Sequence, residues 1–293
     1  MKPFAPPPVF RFQPANGLEF GLLEAGPVDG PLVLCLHGFP DSALSFQPLI
    51  QGLAAEGYRA VAVAMRGYQP TSLPTDGDYS AVALARDAIA LIDHLGAKQA
   101  VLVGHDWGAV ATYLAAALRP DRVRGVVTAA IPHLRRFLLR PTAAQLWRSR
   151  YMLKFQWPGT ESRLLAEQLR PLQALSRDWS PGLETVAALA PVWAGFAERS
   201  RLTAALSYYR ALPAALLSSE IWQLVLAPTP VPACVIHGQD DGCVAAEMFA
   251  GQSHLFAAGL QEVAIAGAGH FMHLEQPQRF NAAVLDFLRQ LSG

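Results

Sequence analysis

Gly104-His105-Asp106-Trp107-Gly108 lies between an apolar run, Val101–Val103, and a helix-forming stretch, Ala109–Leu118. A strand that turns sharply into a helix needs glycine at both ends of the turn, because a Cβ there would clash with neighbouring backbone. The central side chain, Asp106, is then presented at the C-terminal edge of a sheet, where open α/β folds bind ligands. Turns of the form G-x-nucleophile-x-G more often carry serine, and a carboxylate changes the chemistry. With an unperturbed pKa of about 3.9, a carboxylate needs no base to activate it. It suits attack on saturated electrophilic carbon, as in an epoxide or a carbon–halogen bond, and the product is an alkyl ester. Cleaving that ester takes water and a general base. The competing reading is that Asp106 only caps the following helix, for which Asp is a preferred residue.

Eight histidines are available as that base. His270 lies in Gly267-Ala-Gly-His-Phe271, just past an apolar run ending at Ile265, and so at the same sheet edge. His273 competes for the role, but the glycine-rich approach favours His270. An orienting acid is expected between nucleophile and histidine in chain order. Both Asp240 and Asp241 qualify, at the end of the run that starts at Cys234; Asp241 is preferred and Asp240 is read as a turn residue. Such an acid holds the imidazole tautomer and stabilises the imidazolium. His37-Gly38-Phe39-Pro40 follows another apolar run, Leu32–Leu36. Backbone N–H groups of Phe39 and Trp107 would then face the oxyanion formed when water attacks the ester on Asp106. His37 is expected to organise this loop.

The elements that must position these groups follow from hydrophobic patterning. Asn16-Gly17 between Phe10–Phe12 and Leu18–Leu23 is a hairpin signal. Non-alternating apolar runs at 31–36, 58–64, 100–103, 123–129, 233–236 and 262–265 read as strands buried on both faces. Helical patterns lie between them, such as Ser80–Leu95, so the expected fold is α/β with a mainly parallel central sheet flanked by helices. The alternation stops between residues 133 and 227. That stretch shows only helical patches, at 143–150, 161–169, 183–189, 194–210 and 218–226, and holds five of the six tryptophans. It reads as a helical cap, 133–227, inserted between two parts of a core, 1–132 and 228–293. A helical subdomain that merely packs on the core is the alternative.

Bulk composition limits the partners. Lys plus Arg and Asp plus Glu both number 23, so no net field draws the chain to nucleic acid or membrane. With 52% hydrophobic and 16% charged residues the chain can bury a large core. Three cysteines cannot all pair; Cys35 and Cys234 sit in apolar runs as small hydrophobes. No Cys/His spacing suggests a metal. The proline-rich start does not read as a signal peptide, and prolines interrupt the charge-free run 221–239. The expected address is the cytoplasm.

His37-Gly38-Phe39-Pro40, Gly104–Gly108, Gly238–Asp241 and Gly267–His270 together resemble the epoxide hydrolases of the α/β-hydrolase superfamily, and are similar to their haloalkane dehalogenase relatives. The resemblance spans nearly the whole chain and implies the α/β-hydrolase fold. It implies Asp106 as nucleophile, His270 as base and Asp241 as acid, the acid standing three residues after the glycine. It also implies two cap tyrosines that stabilise the opening epoxide. Ser207-Tyr208-Tyr209-Arg210 stands where the family has N-W-Y-R, which puts one at Tyr209. Phe155-Gln-Trp-Pro-Gly159 matches a family segment whose fourth preceding residue is the other, Tyr151. The implied reaction takes a small apolar epoxide and water to a vicinal diol, with no cofactor or metal and with homodimerisation left open. A dehalogenase would need a second N–H donor besides Trp107, typically Asn at position 39, which is Phe here, or a further Trp in the cap. A non-catalytic receptor on this scaffold is the rival from another class. Trp147, Trp157, Trp179, Trp193, Phe196 and Trp222 hint at an apolar or aromatic substituent, or are core.

Overall fold

The computed structural model describes residues 9–292; the proline-rich start discussed above lies mostly outside them. Eight strands form one sheet: β1 (Val9–Ala15), β2 (Leu18–Ala25), β3 (Leu32–Leu36), β4 (Arg59–Val63), β5 (Ala100–His105), β6 (Val123–Ala129), β7 (Ala233–Gly238) and β8 (Leu260–Ile265). Their order is β1-β2-β4-β3-β5-β6-β7-β8. The expected hairpin pairs β1 with β2 around Asn16 and Gly17, both with positive φ. β2 also runs antiparallel to β4, and all later pairings are parallel.

β3, β4 and β5 are buried at every residue because alternate side chains serve two cores. Leu32, Leu34, Leu36, Val61 and Leu102 face one, which includes residues of the helices Ala81–His94 and Trp107–Leu118. Val33, Cys35, Ala62 and Val103 face the other, with the helices Gln47–Ala55 and Pro277–Ser292. Ser80 starts the Ala81–His94 helix by accepting a hydrogen bond from Ala83 N–H. All three cysteines are free and buried.

Between β6 and β7 the described chain is helical, from Leu134–Leu139 to Ser219–Leu226, with no strand. The pattern expected as one helix over 194–210 is two, Ala190–Phe196 and Arg199–Arg210, because Glu198 is extended. Arg170–Trp179 was not expected; left-handed Gln168 and Leu169 and then Pro171 separate it from Thr160–Ala166. Among the described residues no helix is long and apolar enough to cross a membrane.

Candidate active site

Four loops leave the C-terminal ends of β3, β5, β7 and β8 and meet over the sheet edge. Asp106 stands between β5 and its helix at φ 52°, ψ −117°, a conformation that costs a non-glycine residue roughly 1–3 kcal/mol. Its neighbours enforce it. A Cβ on Gly108 would overlap the Leu36 carbonyl, and one on Gly38 would strike the Asp106 carboxylate. Asp106 occupies the N-cap position, yet its side chain makes no cap hydrogen bond. Instead Oδ1 accepts from Phe39 N–H at 2.7 Å, and Oδ2 lies 3.6 Å from His270 Nε2. Trp107 opens the helix, so its N–H has no intrahelical partner.

His270 is fully buried, and its Nδ1 meets Asp241 Oδ2 at 3.0 Å. The other Asp241 oxygen accepts from the N–H groups of Cys243 and Val244, at 2.7 and 2.9 Å. Asp240 is exposed and touches this group only through the chain. Burial works to lower the His270 pKa, but the charge and hydrogen bond of Asp241 and the nearby charge of Asp106 outweigh it and hold it up at about 10. The resting imidazole is therefore protonated between two carboxylates.

Other histidines hold the frame. His37 Nε2 accepts from Met65 N–H and its Nδ1 reaches Gly38 O, so it ties the β3 loop to the β4 loop. His105 Nε2 donates to the backbone carbonyl of His270 at 2.9 Å. His273 meets Asp41 Oδ2 at 3.1 Å and not Asp241. Asp41, His105 and His273 bring three potential metal-ligand atoms within 4.8 Å of one another. Asp41 is already engaged by Ser42 N–H, Ser45 Oγ–H and His273; burial works to raise its pKa, but His273 first, then His37 and the Ser42 N–H, hold the carboxyl below the usual range.

The helical segment closes the site from above. Tyr151 and Tyr209 pack ring to ring at 5.7 Å, and Tyr209 lies edge-on to Trp107 and Phe39 at 5.2 and 5.3 Å. Gln156 Nε2 donates to Tyr209 O at 2.8 Å and so ties the two tyrosine helices together. Burial, then the nearby Cys243 thiol, pushes the Tyr151 phenol well above its ordinary pKa; burial and then the Asp106 charge do the same for Tyr209. Both stay protonated, so each has an O–H to donate. Tyr209 Oη is buried without a hydrogen-bond partner, as is His270 Nε2, whereas neighbouring Tyr208 is committed to Arg66 O at 2.7 Å.

Of the aromatics expected near the site, Trp179 lies 5.1 Å from both His270 and Tyr151, and Phe196 stacks on Phe39 at 5.8 Å. Trp193 packs behind Phe196. Trp147 and Trp157 point outward, 68% and 62% exposed, and Trp222 Nε1 donates to Leu216 O; these three do not face the site. Cys243, whose sulfur is 3.8 Å from Tyr151 Oη, was missed in the sequence. Its place two residues after Asp241 was a usable signal. Nothing local marked Trp179.

Residues 31–277 match the alpha/beta hydrolase fold family. The chain is 31% identical to Epoxide hydrolase A of Mycobacterium tuberculosis, over 97% of this chain and 98% of that protein. It is 29% identical to Epoxide hydrolase 2 of Siraitia grosvenorii, over 94% and 96%. The crystal structure of Epoxide Hydrolase A from Mycobacterium thermoresistibile superposes with a TM-score of 0.82 at 30% identity, covering 96% of this chain and 98% of that one.

Proposed function

Because this chain belongs to the α/β-hydrolase fold family and, within it, to the epoxide hydrolases, we propose that it converts an epoxide to a vicinal diol through an alkyl ester on Asp106. The observation that carries this reading is the facing of unlike groups in one buried space. A carboxylate with one oxygen held by Phe39 N–H stands opposite two phenols that remain protonated beside it.

In the first step Asp106 Oδ2 attacks a ring carbon, the carbon–oxygen bond breaks, and a proton from Tyr151 or Tyr209 goes to the alkoxide. The resting proton on His270 then passes to the tyrosinate. Esterification removes the Asp106 charge, one of the influences that raise the His270 pKa, and so makes the imidazolium readier to give up its proton. Neutral His270, held by Asp241, takes a proton from water as that water attacks the ester carbonyl. The N–H groups of Phe39 and Trp107 receive the oxyanion, worth roughly 10²–10³ in rate per donor. Collapse breaks the ester carbon–oxygen bond, the leaving diol oxygen takes the proton of the added hydroxyl, and the Asp106 carboxylate returns beside the imidazolium. The reading includes residues 133–227 as the cap, an apolar epoxide as substrate, and a cytoplasmic address.

Styrene oxide and the His270→Gln variant test it. The wild type should form diol, and the variant should gain the mass of the epoxide on Asp106 without turning over. Halide released from a bromoalkane, with no diol from an epoxide panel, would move the protein to dehalogenation. Tight binding without either product would make it a receptor.

A further inference from the structure

Neutral net charge is an average, and residues 134–157 depart from it. They carry Arg135, Arg136, Arg140, Arg148, Arg150 and Lys154, and no Asp or Glu appears until Glu161. The same segment exposes Leu138, Leu139, Leu146, Trp147, Leu153 and Trp157, including both exposed tryptophans among the described residues. Spacing puts much of this on one side of the path through the helices Ala143–Arg148 and Tyr151–Phe155. Leu146, Arg150, Leu153 and Trp157 follow one another at three or four residues, while Gln145, Tyr151 and Phe155 are buried on the other side. An amphipathic helix on a protein surface ordinarily turns one apolar face inward; here the outward face is apolar too, and interleaved with cations. Arg150 lies over the Trp147 ring at 4.1 Å.

At the start of this segment, Arg135, Arg136 and Arg140 line a cavity of about 360 Å³ with His254, Leu139 and Leu255. None of these three arginines is in a salt bridge among the described residues. The hydrogen bonds of Arg135 and Arg136 go to the backbone carbonyls of Leu226, Arg140 and Glu247. The Glu247 carboxylate is held by Thr142 Oγ1 at 3.3 Å. The local field reaches inward: His133 is pushed down to about 4, first by burial and then by Arg135 and His254.

We propose that the outward face of residues 134–157 docks on an anionic lipid surface, with a phosphate headgroup in the arginine-lined cavity and Leu146, Trp147, Leu153 and Trp157 at the headgroup–acyl boundary. Basic residues mixed with Trp and Leu on an exposed helix face suit that boundary, where one end of the contact is charged and the other apolar. A second copy fits poorly, since a two-fold contact through the same face sets these cations against themselves. Tyr151 lies on the inner side of the same helical path, so docking brings a phase that concentrates apolar compounds to the wall of the site. The inference stands independently of the reaction proposed above.

Co-sedimentation with vesicles of phosphatidylcholine alone, and with about one-third phosphatidylglycerol, tests it. Binding should require phosphatidylglycerol and weaken with salt. Arg136→Gln with Arg140→Gln should cut partitioning ~25-fold, at roughly fivefold per basic side chain. Trp147→Ser with Leu153→Ser and Trp157→Ser should abolish it. Both variants should keep the melting temperature and the turnover of a water-miscible epoxide. The proposal is overturned by equal binding to both vesicle types or by no binding to either. It is also overturned if millimolar inorganic phosphate displaces the protein completely, which makes the cavity a free-anion site. A wild-type dimer that the triple variant splits, with no vesicle binding, would make the face a contact between copies.

Discussion

Asp106, Asp241 and His270 on one side, and Tyr151 and Tyr209 on the other, are held in different ways. The first three stand on loops at the ends of parallel strands, where backbone groups grip them: Phe39 N–H on Asp106, Cys243 and Val244 N–H on Asp241, and His105 on the His270 carbonyl. The tyrosines stand on helices that reach the sheet edge through ring packing, and their hydroxyls are held by nothing stronger than a 3.8 Å contact to Cys243. Hydrogen bonds are directional and fix where a group points, whereas packing contacts between rings fix the ring and leave the hydroxyl free to turn. The sheet-edge half is therefore fixed through the backbone, and the helical half through side-chain packing.

Substitutions can break or sharpen this contrast. Asp106→Ala should reduce diol formation by roughly 10⁴-fold or more with the circular dichroism spectrum unchanged; retained turnover would remove the sheet-edge half from the chemistry. Tyr209→Phe and Tyr151→Phe should each slow ring opening by ~10²–10³-fold, the double variant more than either. Rates equal to wild type would reduce the helical half to packing.

Stability offers the same comparison without catalysis. Gly108→Ala puts a methyl on the Leu36 carbonyl and should cost about 2–4 kcal/mol in denaturant titrations, while exposed Trp157→Ser should stay within roughly 0.5 kcal/mol. The raised His270 pKa of about 10 in the fold, against about 6.5 for an unfolded histidine, sets a sign for pH. The imidazolium contributes stability fully below pH ~6.5, and that contribution is lost as pH rises through about 10. Thermal melts of wild type and His270→Gln should accordingly converge toward pH 10, and a gap that widens with pH would place the charge elsewhere. Smallest of all, Asp240→Asn should leave rate and stability within measurement error, because that side chain is exposed.

Much of the sheet-edge half was legible because the signals are local. A strand, a glycine and a reactive residue within six positions define each loop, and β6 spans the 123–129 predicted for it. The helical half was harder to read. Its tyrosines were located only through likeness to a family segment, and of the tryptophans read as either substrate-facing or core, Trp147 and Trp157 are exposed and Trp222 bonds Leu216 O. Helical spacing tells which residues share a face but not which face turns inward when, as over 143–157, both are apolar. The break at Glu198 depends on backbone angles that no residue pattern there announces, whereas Pro171 in the first turn after Leu169 was a readable helix start.

By itself the sequence determined that a carboxylate would stand where a strand turns into a helix, with a histidine and an acid following at later strand ends. Continuous apolar runs, period-3.6 hydrophobicity and paired glycines are properties of a few neighbouring residues. What the sequence held as a preference or a family likeness takes its contacts from tertiary structure: Asp241 and not Asp240 meets His270, Asp106 turns to Phe39 N–H instead of capping its helix, and Tyr209 packs on Trp107 while Tyr208 is tied to Arg66. Each of those choices is between adjacent or equivalent groups, and only the approach of a distant chain segment, with its burial and its charge, can separate them.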